Sequence, residues 1–356
     1  MNTILNYGLN NKYINMATQY PNLCLARVIS QYKGLYKIAT HQGESLANVS
    51  GKYRYEASTF SDYPAVGDFI MVSCSDLSEQ AVIHYLLHRS SSFERTAVGS
   101  INQSQVVAAN IDIVFLCMSL NNNYNLSRLE RYLSIAYNSG AKPVILLMKA
   151  DLCDNIEQKL NEIESVAPFT DVIVTSAFDD DTCNKIYAYV KKDVTASFIG
   201  SSGVGKSTLI NKLMGKEIMA TAEIGKLDKG RHTTTGREML ILPNGGVVID
   251  TPGMREIGVE SVDLSKSFAD IEKFETQCKF TDCTHTNEPG CAILTAVDDG
   301  LIDRRRLENY FKIKREAKYD GLSSKEIETV KFNEMFKDVG GMKNVRKYNR
   351  QNNKKK

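Results

Sequence analysis

Gly200-Ser201-Ser202-Gly203-Val204-Gly205-Lys206-Ser207 decides how the rest of the chain is read. It follows the apolar, strand-like run Val194 to Ile199. It precedes Thr208-Leu209-Ile210-Asn211-Lys212-Leu213-Met214, a helical pattern that stops at Gly215. G-x-x-x-x-G-K-S between a strand and a helix is the setting in which a phosphate-binding loop works. The glycines let backbone N–H groups turn inward around a polyphosphate, and the helix that starts at Thr208 adds the positive end of its dipole. Lys206 reaches the outer phosphates, and Ser207 supplies a ligand for magnesium. An ordinary glycine-rich turn with a surface lysine is the bland alternative, and the strand and helix on either side argue against it. The stretch predicts binding of a nucleoside triphosphate with magnesium.

Working outward, 356 residues are enough for two or three domains with real cores, and a chain that is 42% hydrophobic and 24% charged is not globally disordered. The formal net charge of +2 by itself predicts no partner. Its distribution says more, because Lys343, Arg346, Lys347, Arg350, Lys354, Lys355 and Lys356 close the chain with no acid among them. Such a run is a solvated tail or an arm for polyanions. No apolar run approaches the roughly 20 residues of a membrane span, and no signal peptide is visible. Eight cysteines in a long unsignalled chain, three of them grouped with a histidine, fit a metal in a reducing compartment better than a disulfide framework. The expected location is the cytoplasm, without a membrane partner.

Before the phosphate loop the texture is first β and then α/β. Residues 1–20 are Asn-rich and weakly patterned, and read as a mobile extension. From Leu23 to about Phe93, short runs alternate with turns: Cys24 to Ile29, Gly34 to Thr40, Leu46 to Val49, Gly51 to Tyr55, Asp68 to Ser73 and Ala81 to Leu87. Closely spaced short strands with no long helix predict a small OB-like barrel over 21–95. In Lys52-Tyr53-Arg54-Tyr55 a strand would put both tyrosines on one face and both cations on the other. Tyrosines in the core and cations in water are favoured there over a nucleic-acid face. From about Val106, buried strands (Ile111 to Cys117, Pro143 to Met148, Asp171 to Thr175) alternate with helices (Leu126 to Ser139, Ile156 to Val166, Asn184 to Lys192). That alternation predicts a doubly wound sheet with ligand loops at the strands' carboxyl ends. Arg237 to Leu242 and Gly246 to Ile249, around Pro243-Asn244-Gly245, predict an antiparallel hairpin. Val259 to Leu264 reads as a linker, and Asp303 to Tyr319 as a basic helix.

Further loops give the nucleotide its identity. Asp250-Thr251-Pro252-Gly253 follows the strand Val247-Val248-Ile249, where the aspartate can hold magnesium through water and the N–H of Gly253 can meet a γ-phosphate. Lys149-Ala150-Asp151 ends the strand after Met148. An aspartate there accepts from N1–H and the exocyclic amine of guanine, a donor pair that adenine lacks. Hydrogen bonds to a buried charge contribute about 1.5–3 kcal/mol each, which sets the scale of that discrimination. Thr175-Ser176-Ala177 ends the next strand, where a backbone N–H can meet the guanine carbonyl. In Gly230-Arg231-His232-Thr233-Thr234-Thr235 a threonine hydroxyl can complete the magnesium shell, as in a switch segment; a polar surface loop is the alternative. Cys278, Cys283, His285 and Cys291 lie in one loop-rich stretch with a turn at Asn287-Glu288-Pro289-Gly290. Three thiolates and an imidazole form a closed tetrahedral set, which points to one structural zinc rather than a catalytic one. Cys24, Cys74, Cys117, Cys153 and Cys183 sit mostly in apolar runs and read as small core residues.

The order of these loops (base loop, Ser-Ala loop, phosphate loop, threonine switch, D-x-P-G) is a rotation of the usual GTPase order. It resembles the circularly permuted GTPases over about Val106 to Val262. With the flanking barrel and cysteine cluster, nearly the whole chain resembles the ribosome small-subunit-dependent GTPases of the RsgA type. The family's zinc pattern matches at all four positions. The resemblance implies a late factor in assembly of the small ribosomal subunit that binds GTP and GDP and contacts ribosomal RNA. In that scheme GTP favours the docked state, and ribosome-stimulated hydrolysis releases the factor. Two departures stand out. The family's base loop reads Asn-Lys-x-Asp, and Met148 replaces the asparagine here, which predicts weaker nucleotide affinity with guanine preference through Asp151 retained. Met254 follows Gly253 where Ras-like GTPases carry a water-positioning glutamine. The family's switch carries a histidine before its threonines, so His232 is the candidate catalytic residue.

The expected architecture is therefore multidomain. It has an all-β OB-like barrel (21–95), an α/β circularly permuted P-loop GTPase domain (106–262), a small, mainly α, zinc-binding C-terminal domain (263–340) and a basic tail (341–356). A monomer is expected. Arg304, Arg305, Arg306, Lys312, Lys314, Arg315 and Lys318 beside the zinc module favour an RNA clamp over a merely solvated face. Two rivals remain at this level. A P-loop ATPase of small-molecule metabolism would let ATP displace GTP at equal concentration. A zinc- and RNA-binding module with a vestigial nucleotide site would show no GTP turnover.

Overall fold

The computed structural model describes residues 3–32, 34–73, 80–96, 104–176, 179, 181–218, 237–250, 263–318, 326 and 328–331. Its first elements correct the expectation of a mobile extension over 1–20. A 3-10 turn, Thr3–Tyr7, leads to helix α1 (Asn11–Ala17), whose cap Asn10 accepts from the backbone N–H groups of Lys12 and Tyr13. Ile4, Leu9 and Tyr13 are buried against Phe69, Met71 and Leu87, and Tyr13 stacks on Phe69 with centroids 3.8 Å apart. The asparagines that make the segment look unstructured include a helix cap, and its scattered apolar residues cover one wall of the barrel.

That barrel is built from β1 (Leu23–Tyr32), β2 (Leu35–Ala39), β3 (Glu44–Val49), β4 (Phe69–Ser73) and β5 (Ala81–Leu86). They run in the order β1-β2-β3-β5-β4, and β4 pairs back with β1, which closes the ring. Ala26, Val28, Ile38, Ala47, Ile70, Val72 and Ile83 alternate inward to fill it. The fourth of the six expected strands, Gly51 to Tyr55, is instead helix α2 (Gly51–Glu56), capped by the Ser50 side chain on the N–H of Tyr53. Residues two apart on a helix do not share a face, so the two tyrosines separate. Tyr53 is half-buried and donates to the Asp62 carbonyl at 2.5 Å, while Tyr55 is 92% exposed. Cys24, expected as a small core thiol, is disulfide-bonded. The expectation for Cys74 lies outside the described residues. A two-stranded ribbon follows, β6 (Ser92–Thr96) with β7 (Ser104–Ala109). The polar composition of Ser92-Phe93-Glu94-Arg95-Thr96 conceals it in the sequence.

The α/β region contains β8 (Ile113–Ser119), α3 (Leu126–Ser139), β9 (Lys142–Met148), α4 (Ile156–Glu164), β10 (Asp171–Val174), α5 (Thr182–Tyr187), β11 (Thr195–Gly200), α6 (Lys206–Met214), β12 (Arg237–Ile241) and β13 (Val247–Asp250). Strands β10, β9, β8, β11 and β13 lie side by side and parallel. They are nearly continuous in apolar residues because helices cover both faces. Strand β12 turns back antiparallel to β13, as the Pro243-Asn244-Gly245 turn predicts. Helices α7 (Ala269–Glu275), α8 (Ala292–Asp298) and α9 (Arg304–Lys318) pack around Leu264, Phe268, Ile271, Ile293, Leu307, Tyr310 and Ile313. Most of the Val259–Leu264 linker and all of the basic tail lie outside the described residues.

Two seams hold these parts together. On one side the barrel strand β1 pairs with β12 at Ser30↔Glu238 and Gln31↔Arg237, so barrel and α/β sheet form one sheet of 11 strands. Beside that ladder Arg27 is 1% exposed. It donates to the carbonyls of Gly67 (3.0 Å), Asn110 (3.1 Å) and Tyr7 and to Thr195 Oγ1 (3.0 Å), and it lies over Phe69. Burial pushes its pKa down to about 10. On the other side Glu130 of α3 is 1% exposed. It accepts from Arg306 (2.8 Å), Arg305 (3.1 Å) and Asn309 (2.5 Å) of α9. Burial disfavours the charge on Arg306, yet hydrogen bonds to Asp270 and Glu130 outweigh it and hold that pKa above its ordinary value.

Candidate nucleotide site and metal cluster

Parallel strands deliver their loops to one edge. Ser197 of β11 sits opposite Ile249 of β13, and Gly200 opposite Cys117 of β8. The phosphate loop and Asp250 therefore leave the sheet side by side, where ligands of doubly wound sheets bind. Gly200 is required for close approach, because a Cβ there would lie 2.7 Å from the Cys117 carbonyl oxygen. Burial raises the pKa of the Cys117 thiol to about 12, so behind the loop it is an inert packing group. Gly203 (φ 74°) and Gly205 (φ 112°) take the left-handed conformations that turn the loop before α6. Lys206 Nζ donates to the carbonyls of Gly200 at 2.6 Å and Ser201 at 2.7 Å, so its ammonium lies inside the loop. Ser201, Ser202, Val204, Ser207 and Thr208 complete the stretch. Val204 is buried beneath it and Thr208 exposed at its rim.

The base loop starts with Lys149 in the left-handed region (φ 59°), a conformation that costs a non-glycine residue on the order of 1–3 kcal/mol and is found at functional turns. The surroundings hold it there. Ala150 N–H donates to the Thr175 carbonyl at 3.1 Å, and Lys149 Nζ donates to the Gly203 carbonyl at 2.9 Å. The Ser176 hydroxyl donates to Asp151 Oδ1 at 2.5 Å, which joins the base loop to the Ser-Ala loop. Between these loops and α6 lies a cavity of 120 Å³ lined by Met148, Lys149, Ser176, Val204 and Lys212, among others. Its apolar lining suits the face of a flat ring, and Asp151 is hydrogen-bonded to Ser176, one of the lining residues.

Met148 is the departure the sequence flags. Its side chain is 8% exposed and packs with Val204 and Leu209. Its methyl carbon would lie 3.1 Å from a Cβ placed on Gly205. The base loop and phosphate loop are thus tied by the Lys149 ammonium and by packing through Met148. The structure brings together Met148 to Asp151, Ser176, Gly200 to Thr208 and Asp250. Ala177, His232, Thr233, Thr234, Thr235, Gly253 and Met254 lie outside the described residues.

In the helical region Cys278, Cys283, His285 and Cys291 offer ligand atoms that all lie within 4.8 Å of one another. Cys278 follows α7 and Cys291 caps α8, where the N–H of Leu294 approaches its sulfur at 3.5 Å. The cluster tests well as a metal site. His285 Nδ1 lies 3.5 Å from Cys278 Sγ and 3.4 Å from Cys291 Sγ, and those sulfurs are 3.9 Å apart. A small cation with short bonds to sulfur and nitrogen fills such a donor set. The other ring nitrogen of His285 faces Glu275 Oε1 at 3.5 Å, an orienting carboxylate that sequence spacing does not reveal. The cluster is compatible with zinc. No helix among the described residues is long and apolar enough to cross a membrane.

The comparisons with known proteins bear on both sites. A family model described as RsgA GTPase matches residues 86–260. "Small ribosomal subunit biogenesis GTPase RsgA 2" of Lactiplantibacillus plantarum is 44% identical over 344 residues, covering 96% of this chain and 97% of that protein. The crystal structure of YjeQ from Thermotoga maritima is similar with a TM-score of 0.61 at 26% identity, covering 83% of this chain and 98% of that one. YloQ, a solved structure titled a circularly permuted GTPase, shares the fold with a TM-score of 0.59 at 24% identity over 83% of this chain and 95% of that one.

Proposed function

The chain belongs to the RsgA GTPase family, and on that premise we propose that it hydrolyses GTP to GDP and phosphate as a biogenesis factor of the small ribosomal subunit. The observation that carries this reading is the convergence, at one sheet edge, of the Gly200–Ser207 loop, the Lys149–Asp151 turn with Ser176, and Asp250. The loop amides and Lys206 hold the phosphates. Asp151 accepts from the guanine edge while the Lys149 stem and Met148 cover the ring. Ser207, Asp250 and a threonine among Thr233 to Thr235 hold the magnesium, which neutralises charge between the outer phosphates. Gly253 meets the γ-phosphate. His232 positions the attacking water in place of the glutamine that Met254 displaces, so hydrolysis waits for a partner. One zinc on Cys278, Cys283, His285 and Cys291 staples the helical region. The factor docks on the subunit as a cytoplasmic monomer in its GTP form, with RNA contact from the barrel and helical region, and leaves after hydrolysis.

GTP turnover measured with and without purified small ribosomal subunits tests this. A slow basal rate that rises many-fold with subunits, and stays low in His232→Ala with GTP binding intact, is the expected result. No turnover under either condition would overturn the enzyme reading in favour of a vestigial site, and displacement of bound GTP by equimolar ATP would overturn guanine selectivity.

A further inference from the structure

A cleft of 260 Å³ separates the start of α3 from the later turns of α9, and it shares no lining residue with the cavity at the nucleotide loops or with the cysteine cluster. Arg128 and Arg131 of α3 and Lys312 of α9 line it, with Asn125 and Ser127 as neutral donors and Glu316 as the single acid. Glu316 is engaged by Arg131 at 2.6 Å. Arg128 and Lys312 are in no ion pair among the described residues. They belong to opposite walls, α3 and α9, and the one carboxylate in the lining, Glu316, is taken by Arg131. Two cations kept unpaired across a polar cleft repel each other, and a bound anion relieves that repulsion.

The walls are not free to drift. Glu130, on α3 between Arg128 and Arg131 in sequence but on a different face from Arg128, takes Arg306 and Arg305, and Asn309 donates to both Glu130 and the Ser127 carbonyl, the latter at 3.2 Å. The buried network fixes the spacing of the two helices, so the cleft is preorganised and exists only while they are docked. Its chemistry is that of phosphate positioning: guanidinium, ammonium, hydroxyl and amide donors, with no exposed aromatic face to stack a base. The charge also continues past the cleft. Arg315, exposed and likewise in no ion pair among the described residues, stands one turn beyond Lys312. The whole of α9 carries seven bases against two acids. A single small anion would need only the cleft, whereas a polyanion would use the cleft and the helix beyond it.

We propose that the α3–α9 cleft binds the phosphodiester backbone of RNA, so that one strand bridges the GTP-binding sheet and the helical region. The proposal rests on the ribosome-associated reading above. An RNA seated there would reward docking of the two helices through Arg128 on one side and Lys312 on the other. It would carry no base preference, and its affinity would fall steeply with salt.

The test uses the full-length protein and protein-free RNA extracted from small ribosomal subunits, in filter binding across a salt series. Arg128→Ala/Lys312→Ala is expected to weaken binding about tenfold and to lower the log–log salt slope by roughly 2, one for each phosphate contact. Arg128→Lys/Lys312→Arg should restore most of both. GTP affinity and basal turnover, read from the same preparations, should not change, which separates this site from a folding defect. Unchanged affinity and slope in the alanine variant would overturn the proposal. So would loss of binding to intact subunits with RNA binding preserved, which would mark an acidic protein face as the partner. Displacement of RNA by inorganic phosphate at constant ionic strength would mark a single-anion pocket and equally overturn it. Stimulation of wild-type GTP turnover by subunits is scored separately. Its absence would remove the functional reading while leaving the RNA-binding result standing.

Discussion

The nucleotide sheet is joined to its two neighbours by different physics. Toward the barrel the joint is main chain: β1 and β12 share a ladder, and Arg27 donates to three carbonyls and one hydroxyl, with no carboxylate in direct contact among the described residues. Toward the helical region it is side chain: Glu130 is surrounded by Arg305, Arg306 and Asn309, and Arg306 passes the charge on to Asp270. The ladder makes the barrel a continuation of the α/β sheet through β12. A charge network is reversible, sensitive to electrostatics and broken by one substitution. The barrel is therefore built to move with the sheet, and the helical region to be gripped by it.

The largest effect should come from removing what keeps the gripped part folded. With zinc on the cysteine cluster as proposed, Cys283→Ser or strong chelation is expected to melt the core around Phe268, Ile271 and Tyr310, since structural zinc supplies about 10–16 kcal/mol in small modules. Metal release and loss of helical circular dichroism should coincide, while GTP binding persists. A folded helical region without metal would break the contrast.

Arg27→Ala comes next. The Gly67 carbonyl keeps the Asn110 side-chain amide as a donor, but the Tyr7 and Asn110 carbonyls and the Thr195 hydroxyl each lose one, at about 1–3 kcal/mol each, so a loss of about 3 kcal/mol or more is expected. Denaturant unfolding should then show the barrel and the sheet losing stability together. Two well-separated transitions would mean that the ladder does not couple them.

Glu130→Gln keeps the shape and some hydrogen bonds but removes the charge between two arginines. A loss of about 1–3 kcal/mol is expected, with faster proteolysis confined to the helical region. Equal sensitivity of the barrel would show that the two seams are not independent. The smallest effect is reserved for Lys142→Ala. Its 2.7 Å pair with Asp171 is exposed on both sides, and less than about 1 kcal/mol should be lost.

Much of this was legible in the chain itself, and the reasons are local. Gly200 to Ser207 lies between β11 and α6 as its glycines, its lysine and its flanking patterns predict, because those signals fall within a few residues of one another. Buried parallel strands such as β8 and β9 announce themselves as unbroken apolar runs, and α3 by its periodicity and its stop at Gly140. Other features were hidden because their cause is elsewhere in the fold. Residues 3–17 look featureless until the barrel wall they cover is present. Lys52 to Tyr55 alternates like a strand, yet a single cap from Ser50 makes it a helix.

The sequence by itself carried the features that need neighbouring residues: a glycine-rich G-K-S loop between a strand and a helix, a Lys-Ala-Asp turn at the end of a strand, three thiols with one imidazole, and the rotated order of the loops. Only the tertiary structure decided how the parts are held to one another. Ser30 meets Glu238, Glu130 meets Arg306, and Lys149 reaches Gly203 across separations no local pattern encodes. Local steric and capping preferences are written residue by residue. The pairing of buried charges and carbonyls is settled only when burial removes water and each polar group must find its partner inside the protein.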